Sequence, residues 1–172
     1  AARIFDAATT ILGKTHDEVG ALALSSVPGA HGLPLLPYFE GERTPKRPTA
    51  TGVFSGMNIA NSNPADIARA MIEGMLSGLA DAVAALEDLG VDIKRVLIIG
   101  GAAKNPAVGQ IASALFGRPV LIPPAGEYVA DGAAKQAAWA LLGGATPPVW
   151  DLGKAMHIEA VATPAVLEKY RT

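Results

Sequence analysis

The sequence predicts an α/β fold in which parallel strands alternate with helices. From residue 64 onward, stretches with helical spacing alternate with short apolar runs, in the order helix, strand, helix, strand, helix. Glycine or proline marks most changes of pattern. Parallel strands are joined by long crossovers, usually helices, so this alternation favours a parallel sheet with helical crossovers.

The composition is that of a globular protein. The chain has 172 residues, 50% hydrophobic and 17% charged, which fits a single domain over residues 1–172. The formal net charge of −2 argues against a nucleic-acid partner, which needs a surplus of basic groups. The absence of cysteine excludes disulfides and thiolate ligands, and with three scattered histidines we expect no metal site.

No apolar run approaches the ~20 residues of a membrane-spanning helix, and residues 1–6 lack a signal-peptide pattern. We therefore expect a cytoplasmic protein with no membrane partner. The first residues carry no initiator methionine and have the character of a helix interior. We accordingly expect this chain to be a fragment of a larger protein.

The first part of the chain predicts two helices and two short strands. Apolar spacing indicates a helix over 2–12, and Thr15 with Glu18 forms a capping box for a second helix that ends at Ser25. The apolar run 33–39 predicts a buried strand, and 51–57 predicts another.

The later elements follow from capping residues and apolar runs. Asn63, Pro64 and Asp66 start a long amphipathic helix that ends near Leu89. The β-branched run 95–99 predicts a strand buried on both faces. The remaining predictions are a helix over 106–116, a buried strand over 119–122, a small-residue helix over 129–142 and a short helix over 164–170.

The turn after the strand 95–99 is the strongest candidate site. Ligands of open α/β sheets bind outside the carboxyl ends of the strands. Gly100 and Gly101 remove two side chains there, so a flat or anionic ligand could approach the backbone. Asn105 could cap the following helix or bind a ligand. The alternative is a purely structural turn, since neither a P-loop nor the dinucleotide fingerprint is present.

Two other segments carry polar groups. The proline-rich loop 41–48 is charged, and it could be a solvated turn or a loop that reaches a polyhydroxylated ligand. Asp131 could be catalytic, although an acid in the first turn of a helix usually complements the helix dipole. The alanines at 133, 134, 137 and 138 form a smooth face suited to interdomain or core packing.

Several segments together resemble one family, the FGGY carbohydrate kinases, and within it the xylulokinases. The run 36–45 resembles their LPY-x-x-GERTP stretch, and 98–106 resembles their adenosine motif. Further similarities lie at 52–57, 68–74 and 131–134. The resemblance covers about residues 30–144.

The resemblance implies an actin-like, ribonuclease H-like ATPase domain, the second of two domains that bind ATP and a sugar between them. It implies that this chain is most of that domain, incomplete at its N-terminal side. The adenosine pocket would be lined by Gly100, Gly101, Ala102 and Asn105 and supported by Gln110. Ala102 replaces a glycine of the family motif and leaves less room. The loop of Glu42, Arg43 and Thr44 would face the sugar cleft or serve interdomain packing.

The resemblance also implies what this chain lacks. The family's first phosphate turn and the segment with its catalytic aspartate have no counterpart in the sequence, so no catalytic residue is expected here. The implied reaction is deprotonation of a sugar hydroxyl and in-line attack on the γ-phosphate of ATP, with Mg2+. We expect the chain alone to be inactive and its partner to be the N-terminal domain of the same protein.

The implied function is phosphorylation of D-xylulose by ATP to D-xylulose 5-phosphate. One alternative is a kinase for another ketose or polyol, such as ribulose or glycerol. Another is a non-catalytic actin-like module that binds nucleotide. A homodimer is possible by resemblance, but the sequence identifies no interface for it.

Overall fold

The computed structural model of the chain describes residues 2–150 and 153–172. Its helices are α1 (Ala2–Leu12), α2 (His16–Ser25), α3 (Pro64–Asp88), α4 (Pro106–Phe116), α5 (Tyr128–Leu142) and α6 (Pro164–Arg171). Its strands are β1 (Leu35–Leu36), β2 (Val53–Phe54), β3 (Val96–Leu97), β4 (Val120–Ile122) and β5 (Met156–Ile158). The predicted helices are therefore all present, with ends within a residue or two of the prediction.

The described strands form two separate sheets. β3 and β4 are parallel, with Val96 opposite Val120, and α4 is the crossover between them, as predicted. β5 lies on the other side of β4 and runs antiparallel to it, with Met156 opposite Ile122. β1 and β2 form an antiparallel pair of their own. β5 was missed because its three residues are too few to show alternation.

The middle of α3 is the centre of the hydrophobic core. α1, α2 and α4 pack against it, and their buried side chains form one cluster that includes Met71, Ile72 and Leu76. β1 crosses α3 at Gly74, where a Cβ would lie 2.5 Å from the carbonyl oxygen of Leu35. Gly74 therefore allows β1 to approach the helix backbone closely. No helix within residues 2–150 and 153–172 is long and apolar enough to cross a membrane.

Side-chain caps begin the helices where the sequence places them. The Thr15 hydroxyl accepts a hydrogen bond from the Glu18 amide at 3.3 Å, and the Glu18 carboxylate accepts one from the Thr15 amide at 2.9 Å. This reciprocal pair is the predicted capping box of α2. Asn63 caps α3 with a single hydrogen bond, in which its Oδ1 accepts from the Asp66 amide at 3.0 Å.

The strands predicted over 33–39 and 51–57 are wrong in length, because β1 and β2 each contain only a residue pair. Pro34 and Pro37 flank β1 on both sides. Proline has no N–H to donate to a neighbouring strand, so the ladder cannot extend through either position.

The prediction that 95–99 is buried on both faces is also wrong. Leu97 is 46% exposed and Ile99 is 50% exposed. Of the described strands only β4 pairs with β3, and every residue of α5 is at least partly exposed. The apolar side chains at the end of β3 therefore lack the covering layer that a fully buried strand requires.

A buried ion pair joins α3 to the loop after α2. Arg69 and Glu73, one helical turn apart, are only 6% and 5% exposed, and the Arg69 Nε donates to Glu73 Oε1 at 2.5 Å. The Gly29 amide lies 3.0 and 3.1 Å from the two Glu73 oxygens. Burial raises the pKa of Glu73, while Arg69 and the Gly29 amide oppose that rise. Arg69 thus compensates a carboxylate that burial alone would disfavour.

A second buried carboxylate lies at the start of α3. Asp66 is 1% exposed, and it contacts the Ser26 hydroxyl, His31 Nδ1 at 2.9 Å and Asn63 Nδ2 at 2.7 Å. Burial by itself would raise the pKa of Asp66, but these hydrogen bonds outweigh it and lower the pKa below its ordinary value. The folded state therefore favours the charged form. The stability it contributes is present at neutral pH and is lost as the pH falls through the folded pKa.

Replacing Arg69 by methionine should lower the free energy of unfolding by about 3–5 kcal/mol, because Glu73 would stay buried without its counterion. Urea unfolding at neutral pH measures the change. Arg118→Met is the matched control, because its 2.6 Å pair with Glu87 is partly exposed. The control substitution should lower the free energy of unfolding by only about 0–1 kcal/mol. Equal losses in both variants would contradict the role given to the buried pair.

Candidate functional site

The turn after β3 leaves open space in front of its two glycines. Gly100 has a φ of 99°, in the region that favours glycine, and Gly101 begins a short 3-10 turn that ends at Lys104. A Cβ on Gly100 or Gly101 would meet no atom within 4 Å. The backbone of this turn can therefore be approached by a ligand, as the sequence predicts.

Asn105 holds this turn in place with both ends of its side chain. Its Oδ1 accepts from the Ala107 amide at 3.0 Å and caps α4, and its Nδ2 donates to the His16 carbonyl at 2.8 Å. The residue is 5% exposed. Gly20 on α2 leaves room for it, because a Cβ there would overlap the Asn105 amide group. Asn105 thus serves as the predicted cap and also ties the turn to α2.

Two cavities lie on either side of the turn. The sheet-edge cavity, of about 550 Å3, lies at the carboxyl ends of β3 and β4 and is lined by Gly100, Gly101, Lys104, Tyr128 and Lys154 among others. The helix cavity, of about 360 Å3, is lined by Phe5, Asp6, His16, Gly101, Ala102 and Asn105 among others. Both volumes lie within the ~300–1,000 Å3 range of small-molecule sites.

Of the predicted nucleotide-site residues, the structure brings Gly100, Gly101, Ala102 and Asn105 together at this turn. Gln110 is exposed on α4 and lines neither of the two cavities. Asp131 is exposed in the first turn of α5 and also lines neither cavity.

The loop of Glu42, Arg43 and Thr44 lies elsewhere. The Glu42 carboxylate accepts from the amides of Arg43 at 2.6 Å and Thr44 at 3.2 Å, so it is engaged within its own loop. Glu42 also lines cavities of about 600 and 650 Å3 that include residues of α1, but not those of the Gly-Gly turn. None of these four cavities is lined by both the loop and the turn.

The helix α1 separates the two regions. Its residues Phe5 and Asp6 line the helix cavity beside the Gly-Gly turn, whereas Ile4, Ala7 and Ile11 line a cavity beside the loop. Sequence reasoning did not include Asp6 or His16 among the site residues. Nothing in their local pattern distinguishes them from solvated helix residues, and only the packing of α1 against α2 places them beside the turn.

Titratable side chains do not converge into a metal site in the part of the chain that the structure describes. Within 2–150 and 153–172, there is no group of three or more histidine, aspartate or glutamate side chains that could hold an ion. The residues present therefore do not fit a metal held by this chain alone.

The sequence of the chain matches a known protein family. The model of the C-terminal domain of the FGGY family of carbohydrate kinases matches residues 6–141. The xylulose kinase of Streptomyces rubiginosus is 35% identical over 152 residues, which cover 84% of this chain and 31% of that protein. A glycerol kinase of Alkalilimnicola ehrlichii is 39% identical over 137 residues, covering 78% of this chain and 27% of that protein.

A solved structure shows the same fold. The crystal structure of xylulose kinase from Bifidobacterium adolescentis matches with a TM-score of 0.86 and 46% identity, over 99% of this chain and 34% of that one. The chain therefore spans about a third of the length of these relatives.

Gly20→Ala should destabilise the chain by about 1–3 kcal/mol, because the new methyl group would occupy the place of the Asn105 amide. Gly132→Ala is the matched control. Gly132 also lies within a helix, but the space around it is open. Alanine there should raise the free energy of unfolding by about 0.5–1 kcal/mol. Thermal unfolding of both variants checks the prediction, and a stabilised Gly20 variant would contradict it.

Proposed function

The chain belongs to the FGGY family of carbohydrate kinases, and we propose that it is the nucleotide-binding part of a kinase that phosphorylates D-xylulose with ATP. The products would be D-xylulose 5-phosphate and ADP. The observation that carries the proposal is the open Gly100–Gly101 turn, pinned by Asn105 between two cavities, in a chain similar to xylulose kinases. In the same proposal, the whole protein would be a cytoplasmic enzyme of xylose metabolism.

In this proposal the turn binds the adenosine part of ATP. Gly100 and Gly101 present backbone without side chains, and the small Ala102 keeps the approach open. Asn105 acts as a positioning residue, since both of its polar groups already bind the chain. Gln110 enters the set through the family resemblance alone.

The reaction needs groups that other parts of the kinase would supply. A carboxylate base must take the proton of the sugar hydroxyl, and the γ-phosphoryl group then moves in line to that oxygen. Mg2+, when bound to ATP, offsets the charge of the phosphates. The described residues offer no cluster of carboxylate or imidazole groups that could hold the ion by themselves. What this chain contributes is orientation of the nucleotide.

We propose that the remainder of the kinase covers apolar side chains that this chain leaves exposed on α5 and at or just after β3. Leu97, Ile99, Val129, Leu141 and Leu142 are between 46% and 87% exposed. No residue of α5 is buried in this chain, so its apolar side chains are available for contact with another domain. The loop of Glu42, Arg43 and Thr44 would lie in the sugar cleft or between the domains of the whole protein. A second copy of the whole protein, in a homodimer, is a further candidate partner.

A second candidate function is phosphorylation of another polyol or ketose. The 39% identity to a glycerol kinase supports it, because that value is as high as the identity to the xylulose kinases of the same comparison. The sugar-binding residues would lie largely outside this chain, so its residues do not decide between the two. A non-catalytic nucleotide-binding module is the remaining alternative.

The intact protein that contains this chain should consume ATP with D-xylulose faster than with ribulose, glycerol or gluconate. A coupled ADP-release assay with the four acceptors measures this preference. Faster turnover of another acceptor would retain the kinase and overturn the choice of sugar. No turnover with any of them would favour the non-catalytic module. The isolated chain should give no turnover in the same assay, because the family's segment with the catalytic aspartate has no counterpart in this sequence.

Asn105→Ala should weaken ADP binding by the isolated chain at least tenfold, because the turn loses the side chain that ties it to α2 and α4. Asn63→Ala is the control, because it removes a comparable cap from another helix, α3, and Asn63 lines neither cavity beside the Gly-Gly turn. Calorimetric titration with ADP compares the two variants at one temperature, which lies well below the unfolding temperature of each. Equal binding by both would count against the role given to Asn105.

A further inference from the structure

A further cavity lies between the helices α3 and α6, and we call it the α3–α6 cavity. Its volume is about 270 Å3, and the chain segment 28–35 forms its third wall. Among the described residues, none lines both this cavity and a cavity beside the Gly-Gly turn. The α3–α6 cavity is therefore separate from the candidate nucleotide site.

Small residues on each wall keep the α3–α6 cavity open. On α3, Gly74 and Ser77 lie about one helical turn apart and both line the cavity. The first turn of α6 contributes Ala165 and Val166, and the segment 28–35 contributes mainly proline and glycine. None of these side chains is long enough to fill the space between the two helices. The cavity thus follows from the residue types at the crossing of α3 and α6.

The polar groups on the α3 wall are already bonded within the chain. The Glu73 carboxylate accepts from Arg69 Nε at 2.5 Å and from the Gly29 amide at 3.0 Å. The Ser77 hydroxyl donates to the Glu73 carbonyl at 2.8 Å. A polar group placed against this wall would lose its hydration and gain no partner. The part of a ligand that lies here must therefore be apolar.

Lys169 on α6 gives the cavity one charge that the chain does not balance. It lines the cavity and forms no ion pair with any described residue, although the nearby Arg171 pairs with Asp81 at 2.7 Å. Burial raises the pKa of the neighbouring Tyr170, so its phenol stays neutral and does not repel an anion. The α6 end of the cavity accordingly favours a negatively charged group.

We propose that the α3–α6 cavity binds a small aromatic carboxylic acid, with its ring between the two helices and its carboxylate paired with Lys169. An apolar cavity of ~150 Å3 can hold a benzene ring. A volume of about 270 Å3 therefore admits a ring with a short side chain. A rigid ring also loses less conformational freedom on binding than a flexible chain does. The inference does not depend on the proposed function.

The probe is 3-phenylpropionate, and its uncharged amide, which has nearly the same shape, is the comparison ligand. An NMR titration of the chain with 13C-labelled methyl groups follows Leu35 and Val166, which line the cavity. The acid should shift both methyl signals and bind about threefold to fivefold more tightly than the amide, as expected from one exposed ion pair. If the acid leaves these signals unchanged, or binds no better than the amide, the inference is overturned.

Lys169→Met should abolish the preference for the acid and retain binding of the amide, because methionine keeps an apolar side chain of similar length. Lys46→Met is the matched control, since it removes the same charge from an exposed position outside the cavity. Its preference for the acid should equal that of the unmodified chain. A preference that persists in Lys169→Met, or that is lost in Lys46→Met as well, contradicts the role given to Lys169.

Ala165→Leu tests whether the ligand lies in the cavity itself. Ala165 is exposed at the cavity, so leucine there would extend into the space that the ring needs without displacing a buried side chain. Binding of both the acid and the amide should weaken at least tenfold, while the unfolding temperature stays near that of the unmodified chain. Undiminished binding of the two compounds by this variant would overturn the inference.

Discussion

The side chain of Asn105 is the interaction on which the candidate site depends. Its Oδ1 caps α4, and its Nδ2 binds the carbonyl of His16 at the start of α2. One buried amide group therefore fixes the end of the Gly-Gly turn relative to two helices. Gly20 makes this possible, since any larger residue there would displace the amide. The shape of the helix cavity follows from this contact.

The helices were largely predictable from this sequence, whereas for four of the five strands the position was predictable but the length or burial was not. Thr15 and Asn63 place helix starts through local hydrogen bonds, which depend only on neighbouring residues. The length of a strand depends on its partners, and Pro34 and Pro37 end β1 because neither can donate to another strand. The exposure of Leu97 likewise depends on which elements cover β3, and no pattern within the strand reports that.

The site was predictable as a turn but not as a cavity. Gly100 and Gly101 follow an apolar run, and this local pattern identified them. Asp6 lies far from them in sequence and reaches the same cavity only through the packing of α1. The buried pair of Arg69 and Glu73 was missed for a similar reason, because charged residues spaced by a helical turn usually lie on a solvated face. Tertiary contacts, not local chemistry, decide these roles.

Among the described strands none pairs with the edge of β3 that faces away from β4, and this open edge has a consequence for the chain in solution. An exposed strand edge is a template on which another chain can add a strand, so it promotes self-association. Asp92, Lys94 and Arg95 lie immediately before β3, and charges in such positions discourage edge-to-edge pairing. Protein concentration and ionic strength would then govern the balance between dispersed and aggregated chains, since salt screens those charges and leaves the apolar edge unchanged.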